Sequence, residues 1–163
     1  MTRLLTIGEV AEVHMAVHPF AAARRVCELG KWSTVTNLAL QKILYLSHMI
    51  YMGRTRGQRL IDAQFQAWDY GPVEPNLYQK VMVFGDRPIQ DIFFSAPYIP
   101  ISPEREVLDE ACAHLLHKRP GELVAMTHWE PGAWAKNYRP GVMGIVIPDR
   151  DIVAEYDARN STK

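Results

Sequence analysis

The chain predicts an α+β fold: a mainly helical single domain over residues 1–163, with a small two- or three-stranded sheet. Three observations carry this expectation. Apolar residues recur at helical spacing in several stretches, many of them opened by proline, serine or threonine. The stretch "DAQFQAW" instead alternates Ala63, Phe65 and Ala67 with Gln64 and Gln66, the period of a half-buried strand. Finally, 163 residues that are 48% hydrophobic and 22% charged, with proline and glycine spread throughout, fit one core and no linker.

The elements follow in order. "TIGEVAEVH" reads as a short first helix. Pro19 is placed as a first-turn proline for "PFAAARRVCELG", with Phe20, Ala23, Val26 and Cys27 on one face and Gly30 as the stop. Thr36 or Asn37 caps the strongest helix, Leu38 to Met52, whose broad apolar surface makes it central. "GRTRGQ" ends it, and the strand "DAQFQAW" follows. "YGPVEP" reads as a turn, and Pro75 opens a helix to about Phe84 that "GDRP" stops. "IQDIFF" fits a strand or a helical turn equally well. Ser102 and Pro103 form a cap and first-turn pair for "PEREVLDEACAHLLHK"; Pro120 opens "PGELVAMTH"; a short helical turn reaches Trp134. "GVMGIVI" reads as a strand, and "PDRDIVAEYDAR" as a last helix capped by Asp149, with residues 157–163 tending to a frayed tail. One contiguous buried cluster is expected from Leu40, Ile43, Leu44, Phe65, Trp68, Tyr78 and Val81.

Composition narrows the function. Eighteen Lys plus Arg balance eighteen Asp plus Glu, so the basic excess of a nucleic-acid-binding domain is absent and no nucleic acid is expected. No apolar run has the length of a membrane span, and the first residues lack the pattern of a signal peptide, so no membrane and a cytoplasmic location are expected. Cys27 and Cys112 read as buried, reduced thiols. The pairs His14/His18 and His114/His117 each share a helical face, but neither has a local third ligand, so no metal and no cofactor are expected. There is no G-x-S-x-G elbow, phosphate loop or dinucleotide fingerprint. Ser47 and His48 are adjacent on a helix and point apart. No residue is assigned as catalytic. The basic run "GRTRGQR", with Arg54, Arg56 and Arg59, reads as a solvated loop or as a contact for an acidic partner.

The most distinctive segment is "QAWDYGPVEPNLYQ", which sets Trp68, Tyr70 and Tyr78 around Gly71, Pro72 and Pro75. Gly71, before a proline, is expected to take a positive φ or to lie close against another backbone. The segment serves either as a clasp between pieces of backbone or as a contact surface, since Trp and Tyr are favoured interface anchors.

These residues carry a resemblance. "LQKILY" (Leu40 to Tyr45), "AWDYGPVEPNLY" (Ala67 to Tyr78) and "THWEPGAW" (Thr127 to Trp134), in that order and spacing, resemble the Panacea domain of SocA- and GepA-like bacterial and phage antitoxins. The third motif is looser than the family pattern, because Gly132 and Ala133 separate Pro131 from Trp134. The resemblance implies a non-enzymatic antitoxin that binds and neutralises a cognate protein toxin, in some members by delivering it to a Clp-type AAA+ protease. On it, the toxin-binding or motif residues are Trp68, Asp69, Tyr70, Gly71, Pro72, Val73 and Tyr78, with Arg54, Arg56, Arg59, Thr127, His128 and Trp134. The competing reading is a small hydrolase or other enzyme using Asp69, Glu74 and His128, which requires those three side chains to share one concave pocket.

Overall fold

The computed structural model describes residues 14–161; the helix expected over 6–14 lies, apart from His14, outside the described residues. Helix α1 is Pro19–Leu29 and α2 is Asn37–Thr55. Strands β1 (Gln66–Trp68) and β2 (Gly71–Val73) form an antiparallel hairpin. Helix α3 (Pro75–Val81) runs into a 3-10 turn over Met82–Phe84. Then come α4 (Pro103–Leu115), α5 (Pro120–Thr127), α6 (Ala133–Asn137) and α7 (Asp149–Ser161). The protein is therefore α+β and mainly helical with a small two-stranded sheet.

Helix α2 is the axis of the molecule. Its turns at Leu40, Ile43, Leu44, Tyr45, Leu46, Met49 and Met52 are all buried, and α4, α5 and α7 pack around it. A helix that is apolar on every side has no solvated face, so its polar residues must be bonded inside the protein. Thr36 caps it, its hydroxyl accepting from the Ala39 N–H at 3.2 Å. It runs one turn past the expected end at Met52, because Arg56 takes the left-handed conformation (φ 59°) and Gly57 follows at φ 122°. Gly53 lies inside the helix, where the ring of Tyr156 from α7 occupies the place of a β-carbon, 1.9 Å from an ideal Cβ. The small residue thus lets α7 dock.

Several expectations are corrected here. The strand is confined to Gln66–Trp68, and Gly71–Val73 of the expected turn form its partner strand. "GVMGIVI" is not a strand: Gly141 and Gly144 take positive φ (76° and 83°), and only Val146 forms a bridge, opposite Gln66. The backbone beside that bridge still ties the segment to β1, with Ala67 N–H donating to Ile145 O and Ile147 N–H to Phe65 O. "IQDIFF" is neither strand nor helix but irregular chain. Asp149 is the first residue of α7, its carboxylate bonded by Arg59 at 2.9 Å, and α7 includes residues 157–161. Of the expected cluster, Leu40, Ile43, Leu44, Phe65 and Val81 are buried together, whereas Trp68 and Tyr78 are only half-buried. They pack edge to face on each other, ring centroids 4.9 Å apart.

Candidate functional site

The polar residues of "LQKILY" are the joints between the three motifs. Gln41, Lys42 and Tyr45 are all buried. The Gln41 side chain accepts from Glu74 N–H (2.8 Å) and donates to Glu74 C=O (3.4 Å), so one amide holds the exit of β2 much as a neighbouring strand would. Glu74 is buried in turn and caps α3, its carboxylate accepting from the N–H groups of Asn76 and Leu77. Lys42 donates through Nζ to Pro72 C=O at 2.9 Å, a carbonyl left without a partner on that side of the hairpin. Burial pushes its pKa down to about 7. Tyr45 donates to Glu155 of α7 at 2.6 Å, and the same carboxylate oxygen accepts the Ala133 N–H at 2.9 Å at the start of α6. One helical face therefore reaches both the hairpin and the last motif. Sequence reasoning had singled out neither Gln41 and Lys42 nor the Tyr45–Glu155 pair; polar residues one and two positions into an apolar helical run were the available signal.

The hairpin and the last motif also grip each other directly. Asp69 and Tyr70 form the two-residue loop, and the positive angle falls on Gly71, at φ 113°. A β-carbon on Gly71 would lie 3.0 Å from both Lys42 Cε and Thr127 Oγ1. Thr127, the last residue of α5, is fully buried, its hydroxyl donating to Val124 C=O. Trp134 donates from its indole N–H to Trp68 C=O at 2.7 Å. His128 and Tyr138 sandwich its ring, with centroids 3.8 Å and 4.6 Å away and nearly parallel planes. Tyr138 then donates to Asp69 at 2.5 Å, closing the ring of contacts on the hairpin loop. Burial lowers the pKa of His128. Gly71, Pro72, Val73, Thr127 and Trp134 are thus interior parts of a clasp, not exposed contacts.

What the clasp exposes is a groove. A cavity of about 530 Å³ lies between the hairpin, the start of α2 and the end of α3. Trp68, Tyr78 and Val73 line its wall, and Leu38, Tyr70, Met82 and Met143 stand exposed around it. Tyr70 is 71% exposed, so within this segment it belongs to the outward surface and not to the clasp. Large apolar side chains grouped around a concave site mark an interaction surface more strongly than the same residues scattered singly.

The basic run lies elsewhere and is not a free positive patch. Arg54 makes a two-pronged pair with Glu110 (2.9 and 3.0 Å), Arg56 does the same with Asp157 (2.7 and 2.9 Å), and Arg59 binds Asp149. These pairs tie the end of α2 to α4 and α7. The enzyme reading fares poorly on geometry: Asp69 lines the groove, Glu74 a different cavity beside His18 and Asp62, and His128 lies in the clasp, so no described cavity is lined by all three. Among the described residues, no three His, Cys, Asp or Glu side chains are grouped to hold a metal ion. Cys27 and Cys112 are free and buried, with burial pushing both thiols up to about 12. No described helix is long and apolar enough to cross a membrane.

Comparison with known proteins bears on the same three motifs. The family profile described as "Antitoxin SocA-like, Panacea domain" matches residues 40–135, from the start of the LQKILY face to the stack around Trp134. Antitoxin SocA of Caulobacter vibrioides (strain NA1000 / CB15N) is 31% identical over 110 residues, covering 61% of this chain and 58% of that protein. The chain thus spans a little over half the length of this curated relative. No solved structure matches. The profile takes in more than half of the chain and all three interlocked motifs, which places the protein in the SocA-like Panacea-domain antitoxin family.

Proposed function

We propose that this protein is the antitoxin of a toxin–antitoxin module and neutralises its cognate protein toxin by binding it directly, with no chemistry of its own. The observation that carries the reading is the apolar groove beside the hairpin, rimmed by Leu38, Tyr70, Met82 and Met143. Exposed aromatic and methionine side chains at a concave site are the residues that anchor and adapt at protein interfaces. Family membership supports the antitoxin role, and the placing of Asp69 and Glu74 on different cavities favours binding over catalysis. The clasp fixes the groove's shape, so little ordering entropy is lost when a partner docks.

The same reading places the protein in the cytoplasm, where it either blocks the toxin or hands it to a Clp-type AAA+ protease, and it assigns no role to nucleic acid. Co-expression with the small protein encoded beside its gene tests the first step: growth rescue and a complex on co-purification are expected. Toxin half-life separates the two mechanisms. A blocker lengthens it, whereas an adaptor shortens it in a protease-dependent way.

A further inference from the structure

The exposed charges that line the groove are of one sign. They are Asp69 and Asp86, and neither is ion-paired with a cation among the described residues. Among the described residues Asp69 accepts only the Tyr138 hydroxyl, through one of its two oxygens. Lys42, the one basic residue of the lining, does not offset them: its side chain has no exposed surface and its Nζ is turned onto Pro72 C=O. The same lining thus combines the apolar side chains of Tyr78, Met82 and Met143 with two carboxylates that no described cation offsets. Four arginines elsewhere do meet acids: Arg25 pairs with Asp109, Arg54 with Glu110, Arg56 with Asp157 and Arg59 with Asp149.

We infer that the groove receives a short segment of the partner protein that presents a large apolar side chain flanked by lysine or arginine. The apolar side chain fills the groove against Tyr78 and Met82, and the flanking cation reaches Asp86 or the Asp69 oxygen that the Tyr138 hydroxyl does not use. Complementary charge of this kind speeds encounter and fixes register, while the apolar anchor supplies the larger share of affinity. An acidic segment is disfavoured on the same grounds, since like charges meet at the rim. The inference rests on the antitoxin reading for the identity of the partner, but its chemistry is testable without the toxin.

The test pans a random-peptide phage library against the intact folded chain, with Asp86→Lys and Met82→Asp as parallel targets. Both substitutions fall at exposed positions, and circular dichroism establishes that each variant is folded. The expected result is enrichment of peptides with a bulky apolar residue next to Lys or Arg. A synthetic copy of the consensus then binds Asp86→Lys about tenfold more weakly, the scale of one lost charge-assisted contact, and added salt weakens it further. Met82→Asp abolishes binding. No enrichment, enrichment of acidic peptides, or binding indifferent to both substitutions overturns the inference. So does self-association of the chain that Met82→Asp dissolves, which makes a second copy the occupant. Toxin co-expression with the same variants separates the two readings. Rescue by the unaltered chain without basic–apolar selectivity sinks the inference alone. Selectivity without rescue sinks the antitoxin reading alone.

Discussion

A methyl group at position 71 is both strained and crowded. Gly71 holds φ 113°, and an added β-carbon would lie 3.0 Å from Lys42 Cε and Thr127 Oγ1. Gly71→Ala is therefore expected to cost about 1–3 kcal/mol, the range for a residue forced into a sparsely populated backbone region, read from denaturant midpoints. The need for glycine was legible, because a turn-forming glycine before proline has few other uses. Lys42 was not: at helical spacing a lysine beside apolar residues reads as a solvated end, and only the fold shows that the hairpin covers it. Its burial has a pH signature. The folded pKa is about 7 against an ordinary 10.5, so between those values the unfolded chain holds a proton that the folded chain has released. Folding stability, taken relative to Lys42→Met, should rise with pH across that window, by at most about 1.4 kcal/mol per pH unit, and be flat below pH 7. Denaturation series of both proteins between pH 6 and 10, roughly the window just defined, check this.

The helices were legible where periodicity and caps agreed. Thr36, Pro75, Ser102 and Pro120 all mark real helix starts, because first-turn donors and proline geometry are local chemistry. The short strands were harder. "GVMGIVI" has strand-forming residues, but Gly141 and Gly144 turn the chain by positive φ, and a single bridge at Val146 is all that pairs. Leu44→Ala tests the central helix. Leu44 is fully enclosed on α2, so its truncation should cost about 2–5 kcal/mol in a denaturant titration. The far end of α2 behaves differently from the solvated loop its sequence resembles. Arg54, Arg56 and Arg59 each meet a carboxylate on α4 or α7, so reversing all three charges sets like charges face to face. The triple reversal should lower Tm, whereas one-for-one exchange of both partners' charges should recover part of the loss.

At the scale of the whole molecule, the three motifs are one device. The α2 face bonds the hairpin through Gln41 and Lys42 and the α6–α7 corner through Tyr45 and Glu155, and Trp134 locks hairpin to corner. Motif order was visible in the chain, but the partners were not, because they join residues up to 110 positions apart. The division of labour was also hidden. Thr127 and Trp134 turn inward and hold shape, while Tyr70 and Met82 turn outward around the groove. Conversion of the groove without damage to the clasp is thus the sharpest probe of function. The measurement is growth of cells expressing the adjacent toxin together with either the unaltered chain or a folded Met82→Asp variant, with the complex followed by co-purification. The account predicts that the unaltered chain restores growth and carries the toxin with it, and that the variant, equally stable, does neither. Full rescue and a normal complex from the variant would contradict it.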